Sequence, residues 1–234
     1  MNLPSNNPHP WSFRRGFTII ELLTVVMCIT VLMSITIPIA SALQNKAYRT
    51  RTKAQFSQWG TAMEMFRAEY GSYPILWGSS TKDTTPPNVI STDRFAVALT
   101  GRHADGNSSD LRQAKAKASD LYGNSRLLSF YTFAGNEISR DDEKKPLLMD
   151  AFGNTVIAVL LDKNLDGFIN TVDSNTYPAV ADQFGGTYDP MANGDIPVKG
   201  LRAGVLFYSA GAGNPHGTVV ESKAAVTNWD LDPK

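Results

Sequence analysis

The chain has 234 residues, 42% apolar and 19% charged, enough for one sizeable domain or two small ones and too apolar for a disordered chain. Lys plus Arg and Asp plus Glu both number 22, so no basic excess points to nucleic acid and no acidic excess to a solvating tail. The single cysteine, Cys28, excludes an intramolecular disulfide and a cysteine-based zinc site.

Residues 1–16 contain no acid and place Arg14-Arg15 directly ahead of Gly16, which reads as a basic leader. Residues 17–43 follow with 19 apolar residues in 27 and Glu21 as their only charge. An apolar helix of about 26 residues is roughly 39 Å long, enough to cross a hydrocarbon core of about 30 Å. It is too long for a secretory h-region, and the nearest approach to a cleavage site is Ala40-Ser41-Ala42. An ionised carboxylate near the start of a membrane helix is expensive and usually has a partner, so Glu21 is a functional candidate.

Gly16-Phe17-Thr18-Ile19-Ile20-Glu21-Leu22-Leu23 resembles the G-F-T-L-x-E motif of type IV prepilins and type II secretion pseudopilins. The resemblance implies that a prepilin peptidase cuts after Gly16 on the cytoplasmic face and methylates the new N-terminal amine of Phe17. It implies that Glu21 pairs with that amine in a neighbouring subunit during assembly, and that Pro38 kinks the helix. Physics agrees on the pairing, because an ammonium and a carboxylate in lipid lower each other's desolvation cost only when they meet. Proline lacks the backbone donor a helix needs. A bare count of cations flanking the span, Arg14 and Arg15 against Lys46, Arg49, Arg51 and Lys53, favours the opposite orientation. The resemblance instead places the leader in the cytoplasm and the head in the periplasm of a bacterial inner membrane.

Over residues 44–70, Phe56, Trp59, Met63, Phe66 and Tyr70 recur at spacings of three and four, the stripe of an amphipathic helix that packs on its own head. Gly71 sits where a C-terminal glycine cap belongs and Pro74 blocks continuation. The stretch Ala62 to Pro74 also resembles the A-x-x-x-Y-x-x-x-x-G-x-Y-P ending of this helix in major pseudopilins, with Phe66 in place of the first aromatic.

From Ile75 to Pro146 the chain reads as a loop-rich, solvated insertion, punctuated by Gly78-Ser79-Ser80, Pro86-Pro87 and Gly106-Asn107-Ser108-Ser109. Within it, Ser91 or Thr92 is placed to cap a helix through Leu99 that ends at Gly101, Asp110 to Leu121 is weakly helical, and Leu127 to Phe133 has strand composition. Beyond it, Asn154 to Leu161, Phe168 to Val172 and Ala203 to Ser209 are β-branched or aromatic runs that read as an antiparallel sheet. Asp150-Ala151-Phe152-Gly153-Asn154 resembles the D-P-W-G turn of major pseudopilins, and Gly204 to Gly213 followed by Val226 to Asp230 resembles their last strand, loop and terminal Trp. The resemblance covers Gly16 to Pro74 and Asp150 to Trp229.

Residues 162–173 fit D-x-[DN]-x-[DN]-G followed by a closing acid, the twelve-residue calcium loop. Asp162, Asn164 and Asp166 stand at positions 1, 3 and 5, Gly167 at the turn, the Phe168 carbonyl at 7, Asn170 at 9 and Asp173 at 12. The closing acid is Asp rather than Glu, and strand rather than helix precedes the loop. A plain hairpin is the competing reading, because Asp166-Gly167 between apolar runs is a turn signal by itself. Asp182, Asp189, Asn193 and Asp195 form a second acidic cluster that could take the ion instead. The three histidines, His9, His103 and His216, are scattered, and no nucleophile elbow, phosphate loop or HExxH is present, so an enzyme is not expected. Trp77, Arg94 and Arg102 lack the basic run that a nucleic-acid surface needs.

The expected protein is therefore α+β, a pilin-like fold with a long N-terminal helix on a small antiparallel β-sheet head. Its divisions are a leader (1–16), a membrane and assembly helix (17–43), an amphipathic continuation (44–70), a loop-rich variable region (71–149) and a sheet with a calcium loop (150–234). The resemblance implies a type II secretion pseudopilus subunit. Its partners would be copies of itself, minor pseudopilins, prepilin peptidase and the inner-membrane assembly platform, with no nucleic acid. A type IV pilin for adhesion, motility or DNA uptake, and a membrane-tethered calcium-dependent binding module, are the alternatives. Leader removal takes away Arg14 and Arg15 and no acid, moving the side-chain charge from zero to −2.

Overall fold

The computed structural model describes residues 17–77, 86–112, 121–170, 173, 175–182, 185–192, 200–212 and 226–227, with the side chains of 35–42 and 226 not included. The chain divides into two compact units, 1–44 and 45–234. Helix and small antiparallel sheets are combined, so the class is α+β. Among the described residues, no helix is long and apolar enough to cross a membrane.

Helix α1 runs Ile19–Tyr70. In the first unit Thr18 is its N-cap, and the large apolar side chains from Ile19 to Met33 are exposed. Pro38 lies within the bounds of α1. In the second unit the sequence periodicity becomes a buried stripe: Phe56, Trp59, Met63 and Phe66 are wholly buried and Ala62 is 2% exposed. Polar Thr52 and Gln55 extend that stripe by one turn and are themselves buried. The helix stops as its sequence predicts, with Gly71 left-handed (φ 77°) and its N–H donating to the Arg67 carbonyl at 2.8 Å.

Helix α2, Thr92–Thr100, ends at a left-handed Gly101 (φ 67°) whose N–H caps the Val97 carbonyl. Ser91 takes the N-cap position without a side-chain hydrogen bond, while the Thr92 hydroxyl accepts from the Leu148 N–H instead. Residues 94–99 of this helix, mostly Ala, Val, Leu and Phe, are all buried, while Thr92, Asp93 and Thr100 on its polar side are only partly so. The expectation of a solvated insertion is thereby corrected: Leu76, Ile90, Phe95, Ala98 and Leu99 belong to the same core as Phe56, Trp59 and Phe66.

The strands pair antiparallel throughout. β1 (Ile138–Arg140) pairs with β2 (Pro146–Leu148), β3 (Ala158–Leu161) with β6 (Val205–Ser209), β4 (Val180–Ala181) with β5 (Thr187–Tyr188), and β6 with β7 (Val226–Thr227). The sheet β3-β6-β7 is coated on both faces. Val159, Leu161, Val205 and Phe207 join the core with α1 and α2, whereas Ala158, Leu160, Leu206 and Tyr208 form a second core with Ile169, Val180 and Tyr188. Double coverage explains why these strands read as continuous apolar runs rather than alternating ones.

Leu127 to Phe133 is not a strand. Its Phe130 and Tyr131 N–H groups both donate to the Leu99 carbonyl, and Phe130, Tyr131 and Phe133 lie half-buried against the core. Of Phe168 to Val172, the described residues 168–170 form no strand and Ile169 alone among them makes a bridge, to Leu201; residues 171–172 lie outside the described residues. Most of the Asp110 to Leu121 segment also lies outside them.

Candidate functional site

Two candidate sites emerge, one in each unit. In the first, the T-x-x-E of the N-terminal motif forms a reciprocal capping box. The Thr18 N–H and hydroxyl both donate to one Glu21 carboxylate oxygen at 2.8 Å, and the Glu21 N–H donates to the Thr18 hydroxyl at 3.3 Å. Two orphan N–H groups of the helix start are satisfied this way. The second Glu21 oxygen makes no hydrogen bond among the described residues, and Phe17 beside it is 81% exposed. Gly16 lies outside the described residues. What the arrangement supplies chemically is a fixed carboxylate at the head of an exposed apolar helix, with its second oxygen left to accept from external donors.

The second site is the loop after β3. It leaves the sheet at Asp162, whose N–H donates to the Gly204 carbonyl at 2.9 Å, and returns at Asn175. The Asn175 amide donates to the Leu161 carbonyl at 2.8 Å and accepts from the Leu161 N–H at 3.4 Å, completing that edge of the strand as a neighbouring backbone would. Asn88 holds Asn175 in place, donating to its side-chain oxygen at 2.9 Å and to the Val159 carbonyl at 2.9 Å. A loop closed at its neck by buried side chains is a preorganised excursion, not a plain hairpin. β3 pairs with β6 and bridges Val89, so the hairpin reading is excluded.

Inside the loop two of the carboxylates, Asp162 and Asp173, are buried, while Asp166 is exposed. Asp162 is 1% exposed and accepts from the N–H groups of Asp166 (3.1 Å) and Gly167 (2.8 Å). Asp173 is 4% exposed and accepts from the N–H groups of Asn164 (3.3 Å) and Asn170 (2.9 Å). Asp166 accepts from the Phe168 N–H at 2.8 Å and from the Asn164 amide at 3.1 Å. Leu165 and Gly167 both take positive φ (62° and 87°) to make the turns, and a left-handed Leu is strained in a way that the surrounding bonds must sustain. No cation among the described residues makes an ion pair with Asp162, Asp166 or Asp173. Lys163 instead lies over the Trp77 ring, 4.9 Å from its centroid; burial pulls its ammonium below the ordinary lysine range, with Asp173 opposing.

Among the described residues, no three acids, histidines or cysteines stand close enough to hold a metal by themselves. In this arrangement the loop acids serve their own backbone as acceptors, and a cation would draw also on the amide oxygens of Asn164 and Asn170 and the Phe168 carbonyl. The donor set of buried carboxylates with amide and carbonyl oxygens suits a hard oxygen-seeking ion, since buried carboxylates are costly unless positive charge compensates them. Of the alternative cluster, Asn193 and Asp195 lie outside the described residues. Asp182 is buried and accepts from the Gly186 N–H at 2.9 Å, and Asp189 accepts from the N–H groups of Met191 and Ala192.

Other candidates fare differently. Arg94 is 8% exposed with its guanidinium 5.0 Å from the Tyr122 ring centroid and Lys163 lies over Trp77, whereas Arg102 is exposed. His103, which looked isolated in sequence, is held on both ring nitrogens: Nδ1 meets both Asp93 carboxylate oxygens at 2.8 Å and Nε2 meets Asp110 at 3.0 Å. Burial works to lower its pKa, but the two carboxylates outweigh it and hold the imidazole above its ordinary value. His9 and His216 lie outside the described residues.

Sequence reasoning missed the turn at Asp150 as a docking point. Asp150 is 1% exposed, and burial raises its pKa despite donations from Ser209, Asn154 and Phe152. Around it α1 is tied down by Ala151 N–H to the Thr52 hydroxyl (3.2 Å), by the Gln55 amide to the Met149 carbonyl (2.9 Å) and by Tyr48 edge-on to Phe152. Buried Thr52 and Gln55 on the apolar stripe were the only available signal. No protein-family model, curated protein or solved structure matches the chain.

Proposed function

We propose that this protein is a structural subunit of a type II secretion pseudopilus. Prepilin peptidase cleaves it after Gly16 and methylates Phe17, and it assembles through Glu21 into a helical fibre with copies of itself and minor pseudopilins on an inner-membrane platform. It is pilin-like, with the long N-terminal helix as its assembly element and the 45–234 unit as its head. The observation that carries this reading is the Gly-Phe-Thr-x-x-Glu sequence leading into α1, where a single carboxylate, bonded to Thr18, heads a helix whose large apolar side chains from Ile19 to Met33 are exposed among the described residues. The proposed span is the whole run 17–43, which extends into residues 35–42 beyond the side chains described.

In the mechanism, the incoming N-terminal ammonium of one subunit meets the Glu21 carboxylate of another, and the charges neutralise in a setting where either alone is costly. The apolar faces then bury against one another as the chain leaves the bilayer. Calcium, held by Asp162, Asn164, Asp166, Asn170, Asp173 and the Phe168 carbonyl, would fix the head loop through electrostatic neutralisation. The protein does no covalent chemistry. The lack of a cysteine pair favours the pseudopilin over a disulfide-closed adhesion or motility pilin.

Expression of Glu21→Ala alongside prepilin peptidase and the assembly platform tests the proposal. The variant should be cleaved and methylated at Phe17, as read by mass spectrometry, yet give no sheared fibres. Normal fibres from this variant would end the pairing role, and an unprocessed wild-type chain would end the pseudopilin assignment.

A further inference from the structure

The 45–234 unit contains a cleft of about 430 Å³ between the end of α2 and the 127–138 segment, within the size range of small-molecule sites. We propose that this cleft binds a small carboxylate carried on a ring, gripped by Arg102 and Arg112 with the ring against Tyr131 and Phe133.

Charge is the first argument. Arg102 and Arg112 both line the cleft and both are exposed, and neither guanidinium makes an ion pair or hydrogen bond among the described residues. A planar guanidinium offers a fork of donors that matches a carboxylate two bonds at a time. The acids that touch the lining are engaged elsewhere. Asp93 and Asp110 are held by His103, and Glu137, 5% exposed, accepts from the Tyr131 hydroxyl at 2.8 Å and the Ala134 N–H at 2.8 Å. Among the described residues, no carboxylate forms an ion pair with either guanidinium.

Shape and chemistry of the other wall supply the second argument. Leu127, Tyr131, Phe133 and Ile138 give an apolar surface beside the two cations, and exposed Thr132 also lines the cleft. Tyr131 is fixed by its bond to Glu137 and by packing edge-on against Phe133, ring centroids 5.1 Å apart. A rigid aromatic face suits a flat or cyclic ligand body. Leu127 reaches this wall with φ 51°, a conformation that a branched side chain rarely adopts. Its carbonyl sits against Gly101, where a Cβ would lie 2.5 Å away. Gly101 thus allows the two walls to approach as they do.

The full chain in an uncharged detergent, titrated with benzoate and with glucuronate, separates the two sources of such a ligand. Benzyl alcohol and methyl glucoside serve as neutral counterparts and inorganic phosphate as an oxyanion without a ring. Calorimetry and saturation-transfer NMR should show saturable binding of at least one ring carboxylate, none of its neutral counterpart, and at least tenfold weakening in Arg102→Gln and in Arg112→Gln. Both arginines are exposed, so the melting temperature of each variant should match wild type. Absence of saturable binding by both acids overturns the proposal, as does binding undiminished in the double variant or phosphate binding as tightly as either acid. The readout is occupancy of the head alone, so failure here leaves the fibre assignment standing, and failure of fibre assembly leaves the cleft standing.

Discussion

Residues 19–34 and residues 52–66 of α1 are both rich in large apolar side chains, and the two stretches meet opposite surroundings. In the first, Ile19, Leu22, Leu23 and Leu32 are 61–87% exposed; in the second, Phe56, Trp59, Met63 and Phe66 are wholly buried. Pattern accounts for the difference. The second stretch confines its apolar residues to one stripe and offers a polar back to solvent, so it can be satisfied by a single sheet-facing side. The first carries them on every side, and no packing on one flank can cover it. In the proposed function this exposed apolar surface is covered by lipid before assembly and by neighbouring helices after it.

Trp59→Ala probes the contrast hardest. The indole is ringed by Phe56, Phe95, Phe133 and Phe207, and its removal should destabilise the head by about 3–5 kcal/mol. Leu22→Ala, read in the same near-UV dichroism melt of the full chain in detergent, should shift stability by less than about 0.5 kcal/mol. Similar losses for both would break the comparison.

Calcium is the next largest effect. At a hundredfold excess over its dissociation constant, the ion should stabilise the head by about 2.7 kcal/mol, seen as a raised melting temperature in the wild-type chain and no rise in Asp162→Ala. A flat calcium response in the wild type would remove the ion from the site.

The smallest effect is a pH dependence confined to the second unit. Because the folded pKa of His103 stands above its ordinary value, the stability it contributes is complete below about pH 6.5 and is lost as pH rises through the folded value. His103→Gln should flatten that alkaline decline in the melt, and an unchanged pH profile would show that the Asp93 and Asp110 contacts contribute no linkage.

What could be read in advance follows from how local each signal is. The helical stripe, the glycine stops at Gly71 and Gly101 and the apolar runs of β3 and β6 are set by neighbours within a few positions, and all were legible. Leu127 to Phe133 misled because aromatic composition resembles a strand, while its backbone donors are drawn to the Leu99 carbonyl instead. β4 and β5 have two residues each, too short for any periodicity. The loop motif at 162–173 was legible as a spacing, but its closure by Asn88 and Asn175 was not. Nor was the role of Asn124, wholly buried, whose amide caps the Ala98 carbonyl while its oxygen accepts from Tyr70. A single asparagine carries no pattern, and its partners lie tens of residues away.

The sheet coated on both faces has a consequence for how such a head diversifies over evolutionary time. With every side chain of β3 and β6 buried, a change on either strand disturbs one core or the other, which leaves the strands little latitude. Novelty is channelled into the segments that leave and rejoin the sheet, such as 162–175. There the chain can lengthen, acquire ligands or change charge while the neck residues keep the frame in register. Variation and constancy are thus partitioned along the sequence, so two such heads could share a scaffold while differing in almost everything their surroundings encounter.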